Sequence, residues 1–182
     1  MILITHRINT LKELKKIPPK YGVEIDVREY RGRLILQHEP FVAGEKLEVF
    51  LKKFNHKFII FNVKSERIEF KILHYVKKYK LKKYFFLDSS FPMIKNLINL
   101  KEKNIACRVS DEEDIKTALN LKQKVIWIWF ETQFPFKKSY PILKKLKKNK
   151  FKVCIVSPDL HKKKIKFDKN EILFLKKNNL IR

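Results

Sequence analysis

Glycine is nearly absent from this chain, with three residues in 182. Gly22, Gly32 and Gly44 stand far apart, so neither a Gly-x-Gly-x-x-Gly turn nor a P-loop can be built, and nucleotide binding through those loops is excluded. Cysteine is as scarce. Two isolated residues, Cys107 and Cys154, exclude a disulfide framework and the Cys-based zinc patterns. No apolar run reaches the roughly 18 residues that a membrane-spanning helix needs. The opening MILITHR passes into polar residues with no signal-peptide cleavage region, so a cytoplasmic location is expected. Acids are also few, 19 Asp+Glu against 43 Lys+Arg, which leaves a formal charge of +24.

What is present is enough for a folded core. A hydrophobic content of 45% with 13% aromatic residues can offset chain entropy, and no linker, repeat or compositional break interrupts residues 1–182, so one domain is expected. The basic excess is lysine rather than arginine, which numbers seven. Base reading and phosphate gripping favour Arg forks with aromatic platforms. Lysine spread along the chain with Ile, Asn and Phe reads instead as compositional bias on a solvated surface, and no specific nucleic-acid partner is expected. The densest stretch, Lys137 to Lys166, carries twelve lysines and one acid, Asp159, which permits non-specific attraction to anionic polymers or membranes.

Short apolar strands alternate with amphipathic segments. Strands are predicted over Ile2–His6, Val23–Arg28, Arg33–His38, Phe58–Lys64, Lys83–Asp88, Ile105–Val109, Val125–Phe130 and Lys152–Val156. Helices are predicted over Gly44–Phe54, Glu66–Tyr79, Pro92–Leu100, Asp111–Leu121, Ser139–Lys148 and Asp168–Asn179. Ser110 with Glu113 and Asp168 with Glu171 have capping-box spacing, and Ser65 and Ser90 are N-cap candidates. A hairpin turn is expected through Glu29-Tyr30-Arg31-Gly32. This order implies a mostly parallel sheet with helices outside, either open and doubly wound or closed as a barrel.

Polar residues collect at the strand ends. Side chains two apart share a face of a strand, which aligns Ile2, Ile4 and His6; Glu24, Asp26 and Arg28; Leu34, Leu36 and His38; Ile60, Asn62 and Lys64; and Tyr84, Phe86 and Asp88. Trp127, Trp129 and Glu131 align likewise. Each piece has an ordinary structural explanation: a hydrogen-bonded histidine, a buried ion-pair ladder, a snorkelling lysine, core tryptophans. The conjunction on successive strand ends points instead to an α/β active site. Carboxylates at i and i+2 can hold Mg²⁺ or Ca²⁺ through oxygen. Arg7 and Lys64 can neutralise phosphodiester oxygens, and His6 and His38 can divide acid and base work around phosphorus.

At these residues the sequence resembles the glycerophosphodiester phosphodiesterase family, within the phospholipase C-like phosphodiesterase TIM barrels. The matching pieces are His6-Arg7, Asn9-Thr10-Leu11, Glu24-Ile25-Asp26, His38-Glu39-Pro40, Asn62-Val63-Lys64 and Ser89-Ser90-Phe91, covering residues 1 to about 95. They most resemble small members encoded among bacterial surface-polysaccharide genes. The resemblance implies a TIM-type (β/α) barrel and phosphodiester hydrolysis, with His6 and His38 as the acid/base pair. It further implies Glu24, Asp26 and Asn62 around Mg²⁺ or Ca²⁺, and Arg7 and Lys64 on the substrate phosphate. Asn9, Arg28, Asp88, Trp127 and Trp129 are the candidate pocket residues.

The sequence departs from the family in three ways. Ile8 stands where a glycine is usual and the Pro-Glu before Asn-Thr is missing; Asn62 replaces a third metal carboxylate; and 182 residues are short for a barrel of about 250. About seven barrel strands are counted, so the barrel is expected to be incomplete or open, with three outcomes for its free edge: a partner copy of the chain covers it, it stays open, or the protein is a compromised remnant. A small phosphodiester is the expected substrate. The alternatives are a degenerate barrel that binds phosphorylated saccharides or other anions without turnover, and a phosphodiesterase that forms a cyclic phosphate.

Overall fold

In the computed structural model, residues 1–131, 135–161, 169–178 and 180 are described. The chain divides into two compact units, Ile2–Asn96 and Leu97–Arg182. The first contains β1 (Ile4–Thr5), α1 (Leu11–Leu14), β2 (Gly22–Tyr30), β3 (Arg33–Leu36), β4 (Glu45–Lys46), α2 (Leu47–Lys53), β5 (Phe58–Val63), α3 (Glu69–Lys78) and β6 (Tyr84–Leu87). Helix α4 (Phe91–Asn99) crosses the boundary, with Ser90 accepting at its start from the Met93 N–H (3.4 Å) and Ile94 N–H (2.9 Å). The second unit contains β7 (Ala106–Ser110), α5 (Ile115–Asn120), β8 (Trp127–Glu131), α6 (Phe136–Lys148), β9 (Lys152–Ile155) and α7 (Lys169–Lys177).

β2 organises the first sheet, whose order is β4-β3-β2-β5-β6, with β1 on β2 as well. β1, β5 and β6 run parallel to this strand system, while β3 and β4 run antiparallel to their neighbours. Val23, Ile25, Val27, Ile59, Ile60, Phe61, Phe85 and Phe86 are buried, and both faces of β2 and β5 are covered, which is why these strands read as nearly continuous apolar runs. Gly22 is required by closeness: a Cβ there would meet Phe58 Cβ at 2.9 Å and Ile4 Cγ1 at 3.1 Å. The second unit is a separate parallel sheet of order β7-β8-β9.

The expected TIM-type barrel, incomplete or open with about seven strands, is not formed. Closure requires every strand to be paired on both sides. Among the described residues β4 and β6 are edges of one sheet, and β7 and β9 are edges of the other. β1 pairs with β2 alone, so among the described residues its other side is an edge as well. Strand β1 holds one edge of β2 only at Gly22 and Val23, and from Val27 to Tyr30 that edge is taken by the antiparallel β3. β2 is thus paired along both sides, with β1 and β3 on one and β5 on the other, and among the described residues the pairings that closure lacks are those of the outer strands.

Local sequence signals and local structure agree at some positions and part at others. Arg31 (φ 49°) and Gly32 (φ 77°) form a two-residue turn joining the Tyr30↔Arg33 pair, and both positive angles suit a type I′ hairpin. Thr10-Leu11-Lys12-Glu13 forms a full capping box at α1, a helix absent from the sequence reading. Ser110 accepts from the Glu113 N–H (3.0 Å), but α5 starts later, capped by Asp114, which accepts from the Lys116 N–H (2.7 Å). Ser65 accepts from the Glu29 N–H (3.0 Å) instead of capping α3, which begins at Glu69 without a side-chain cap. The Asp168–Glu171 spacing includes Asp168, which lies outside the described residues.

Scarce glycine shows at the helix ends. Lys80 (φ 52°), Lys101 (φ 61°) and Lys150 (φ 64°) hold the left-handed positions after α3, α4 and α6. The Leu81 N–H to Val76 O (2.9 Å) and Phe151 N–H to Leu146 O (3.2 Å) bonds are the six-to-one closures of Schellman motifs, where glycine is the usual residue.

Candidate functional site

Register brings the expected residues to one face of the first sheet. Asp26 pairs with Asn62 and Glu24 with Ile60 across β2 and β5, and parallel partners point to the same side. Glu24 (1% exposed), Asp26 (0%) and Asn62 (6%) are all buried there. Because β1 stops at Thr5, the chain beyond it is free to fold over the edge of β2. The Ile8 N–H donates to Glu24 O (2.9 Å), and Asn9 takes the next rung with its side chain. Asn9 Oδ1 accepts from the Asp26 N–H (2.8 Å), while Asn9 Nδ2 donates to Asp26 Oδ2 (2.9 Å). Asn9 thus clamps Asp26 at two points.

Glu24 is the most crowded group. Its Oε2 accepts from the Arg7 N–H (2.7 Å) and lies 3.6 Å from His6 Nε2, and its Oε1 accepts from Asn62 Nδ2 (2.8 Å). Burial, and then the neighbouring Asp26 charge, push its carboxyl up from 4.5 to about 7, against the hydrogen bonds from Arg7 and Asn62 and the charge of Lys64. Asp26 Oδ1 is buried without a hydrogen bond and has the Lys64 ammonium 3.8 Å away. Asn62 Oδ1 is also buried and without a hydrogen bond. Two hard oxygen acceptors at paired register positions thus lack donors, and buried acceptors of this kind call for an explanation such as a cation. The carboxylate count is low: among the described residues no group of three or more His, Cys, Asp or Glu side chains is gathered for a metal.

Arg7 connects the two histidines. Its φ of 55° turns the chain out of β1, its N–H holds Glu24, and its Nη2 lies 2.9 Å from His38 Nε2. A guanidinium can only donate, so Nε2 must be the acceptor and the imidazole proton sits on Nδ1. Nδ1 then donates to Glu39 Oε1 at 2.6 Å. The same bond and the histidine beside it hold the Glu39 carboxyl below its usual range. The backbone of this residue is anchored too, since Arg28 Nη2 donates to His38 O (2.8 Å).

Asp88 reaches the group by a route that strand alternation does not foresee. It lies just beyond β6 with φ 59°, and its Oδ2 accepts from Lys64 Nζ at 3.2 Å. Alternation aligns it with Tyr84 and Phe86, but the left-handed residue breaks that pattern. Trp127 and Trp129 belong to β8 of the separate sheet. There the Lys152 ammonium sits 5.3 Å from the Trp127 ring centroid, and Trp129 Nε1 donates to Glu131 Oε2 (3.0 Å). Glu131 also pairs with Arg108, a residue that sequence reasoning passed over. A cleft lined by Leu143, Lys147, Phe151 and Ile155 contains none of the expected site residues.

Two further groups in the first unit escaped the sequence reading. Glu39 adjoins His38 in the sequence, and that adjacency is the signal for its contact with the ring. Glu45 accepts from the Leu11 N–H (2.8 Å) across 34 residues, a contact no local pattern announces. In comparisons with known proteins, no family model, no curated protein and no solved structure matches this chain.

Proposed function

We propose that this protein is a metal-dependent phosphodiester hydrolase of the glycerophosphodiester phosphodiesterase type. The observation that carries the reading is the position of Arg7, whose backbone holds Glu24 beside His6 while its guanidinium contacts His38. One phosphate-binding group is thereby tied to both prospective proton carriers. His38, with Nδ1–H oriented by Glu39 and its lone pair on Nε2, acts as the base that takes a proton from the attacking water. His6, whose imidazolium the Glu24 carboxylate stabilises, donates a proton to the leaving alkoxide as the P–O ester bond breaks. Arg7 turns from His38 to the phosphate, where with Lys64 it offsets the charge on the equatorial oxygens. Glu24, Asp26 and Asn62 would hold Mg²⁺ or Ca²⁺, which supplies further charge neutralisation at phosphorus.

Purified protein incubated with glycerophosphodiesters and Mg²⁺ or Ca²⁺ is expected to release an alcohol and a phosphomonoester. His6→Ala and His38→Ala should each remove at least a hundredfold of that rate. Turnover that survives both substitutions would sink the mechanism. Phosphorus NMR distinguishes the monoester from a cyclic phosphate.

A second reading, anion binding without turnover, is favoured by one observation. Both oxygens of Glu24 already accept hydrogen bonds and its carboxyl is pushed up to about 7, which weakens it as a resident metal ligand. Phosphate binding without divalent-cation binding, measured by calorimetry, would support that reading over hydrolysis.

A further inference from the structure

The β3–β4 hairpin closes at the Leu36↔Glu45 pair, and its loop carries His38 on one limb and Phe41 at the tip. Phe41 is 91% exposed and Val42 49%. Phe41 also has φ 62°, a left-handed conformation that a residue with a bulky Cβ substituent adopts only under strain. Among the described non-glycine residues with positive φ it is the one with an apolar side chain. The ring gains no burial inside the protein to offset that strain. Nor is the tip a loose end. Gln37 Nε2 donates to Ala43 O (3.3 Å), and Gly44 lies so near the Leu36 carbonyl that a Cβ would stand 2.2 Å from its oxygen. The loop is built to hold an apolar side chain outward.

Its surroundings are cationic. Arg7 contacts His38, Arg28 binds the His38 carbonyl, and Lys46 is exposed on β4, against Glu39, which is bonded to His38, and Glu45, which accepts from Leu11. The whole chain carries +24. One or two apolar side chains bind a bilayer weakly by themselves, and basic charge facing anionic lipid supplies the second signal that such binding needs. A two-residue apolar tip is small for a protein interface, which needs a contiguous desolvated patch.

We propose that Phe41 and Val42 insert into the interface of a bilayer containing anionic lipid, so that the phosphodiester met by His38 and Arg7 is one presented at a lipid surface. The substrate half of this proposal rests on the hydrolase reading; the docking half does not. The full chain should co-sediment with phosphatidylcholine vesicles containing phosphatidylglycerol and not with phosphatidylcholine alone, and binding should weaken as salt rises. Phe41→Asn, which suits a left-handed position, should fold with an unchanged or higher melting temperature yet bind about tenfold or more weakly. Leu173→Ser, at another exposed apolar position, should bind like the parent. Failure of the parent to bind anionic vesicles, or parental binding by Phe41→Asn, overturns the proposal, as does Phe41-dependent capture of a protein with vesicles ignored. If soluble diesters are hydrolysed while vesicles are ignored, docking fails and the hydrolase reading stands. If Phe41-dependent docking occurs without turnover of any diester, docking stands and the hydrolase reading fails.

Discussion

Asn62 donates its side-chain amide to Glu24 Oε1 at 2.8 Å, so a neutral donor stands where the family resemblance puts a third carboxylate. The amide relieves what would otherwise be three acids in one buried place, with Asp26 already raising the Glu24 carboxyl by its charge.

Asn62→Asp should therefore destabilise the protein in chelator by about 1–3 kcal/mol, since it replaces a hydrogen bond with repulsion. Adding Mg²⁺ or Ca²⁺ should recover much of that loss, because the added charge favours a cation. Thermal melts with EDTA and with each ion test this. Equal stability in EDTA with no response to either ion would contradict the site as described.

The Glu24 carboxyl gives the metal-free protein a defined pH response. Its value in the folded chain, about 7, lies above the ordinary 4.5, so the folded state binds this proton more tightly than the unfolded state does. The associated stability is fully present below 4.5 and is lost as pH rises through about 7, amounting to about 3 kcal/mol. Urea unfolding of chelated protein between pH 4.5 and 8 should show that decline, and Glu24→Gln should flatten it. A parallel pH profile for the two proteins would refute the assignment.

On the hydrolase reading, Glu39 should matter for turnover more than for folding. It is exposed, and its contact, together with that of Arg7, holds His38 in the Nδ1–H form. With Arg7→Ala removing the other partner of the ring, nitrogen NMR of the imidazole should show Nδ1–H while Glu39 is present and mixed tautomers once Glu39→Ala is added. In Glu39→Ala alone, turnover should fall about tenfold with little change in melting temperature. An unaltered tautomer would remove Glu39 from this positioning role.

Glycine scarcity predicts easy stabilisation. Lys80→Gly and Lys150→Gly each relieve a left-handed lysine at a helix end and should add about 0.5–1 kcal/mol. The gain reads directly as a higher urea midpoint. A loss at both positions would mean that the lysine side chains contribute more than their backbone strain costs.

Much of the first sheet was legible because periodicity is local. Val23, Ile25 and Val27 alternate with Glu24 and Asp26, and the hairpin through Arg31 and Gly32 follows from glycine at a turn. The site was legible where it depends on that alternation, as with Glu24, Asp26 and Asn62. It was not legible where a left-handed residue redirects the chain, at Arg7 and Asp88, or where a bond spans the sequence, as from Leu11 to Glu45.

The amino-acid sequence by itself determined most of the strand and helix order, α1 and β4 excepted, the parallel βα character and the faces on which the acidic and amide groups lie. All of these depend on the spacing of neighbours along one chain. Only the tertiary structure decided that the sheet stays open, because alternation is identical in an open sheet and a closed barrel. What differs is whether the outer strands find second partners, and among the described residues β1 pairs with β2 alone, β6 with β5 alone, and β7, β8 and β9 only with one another.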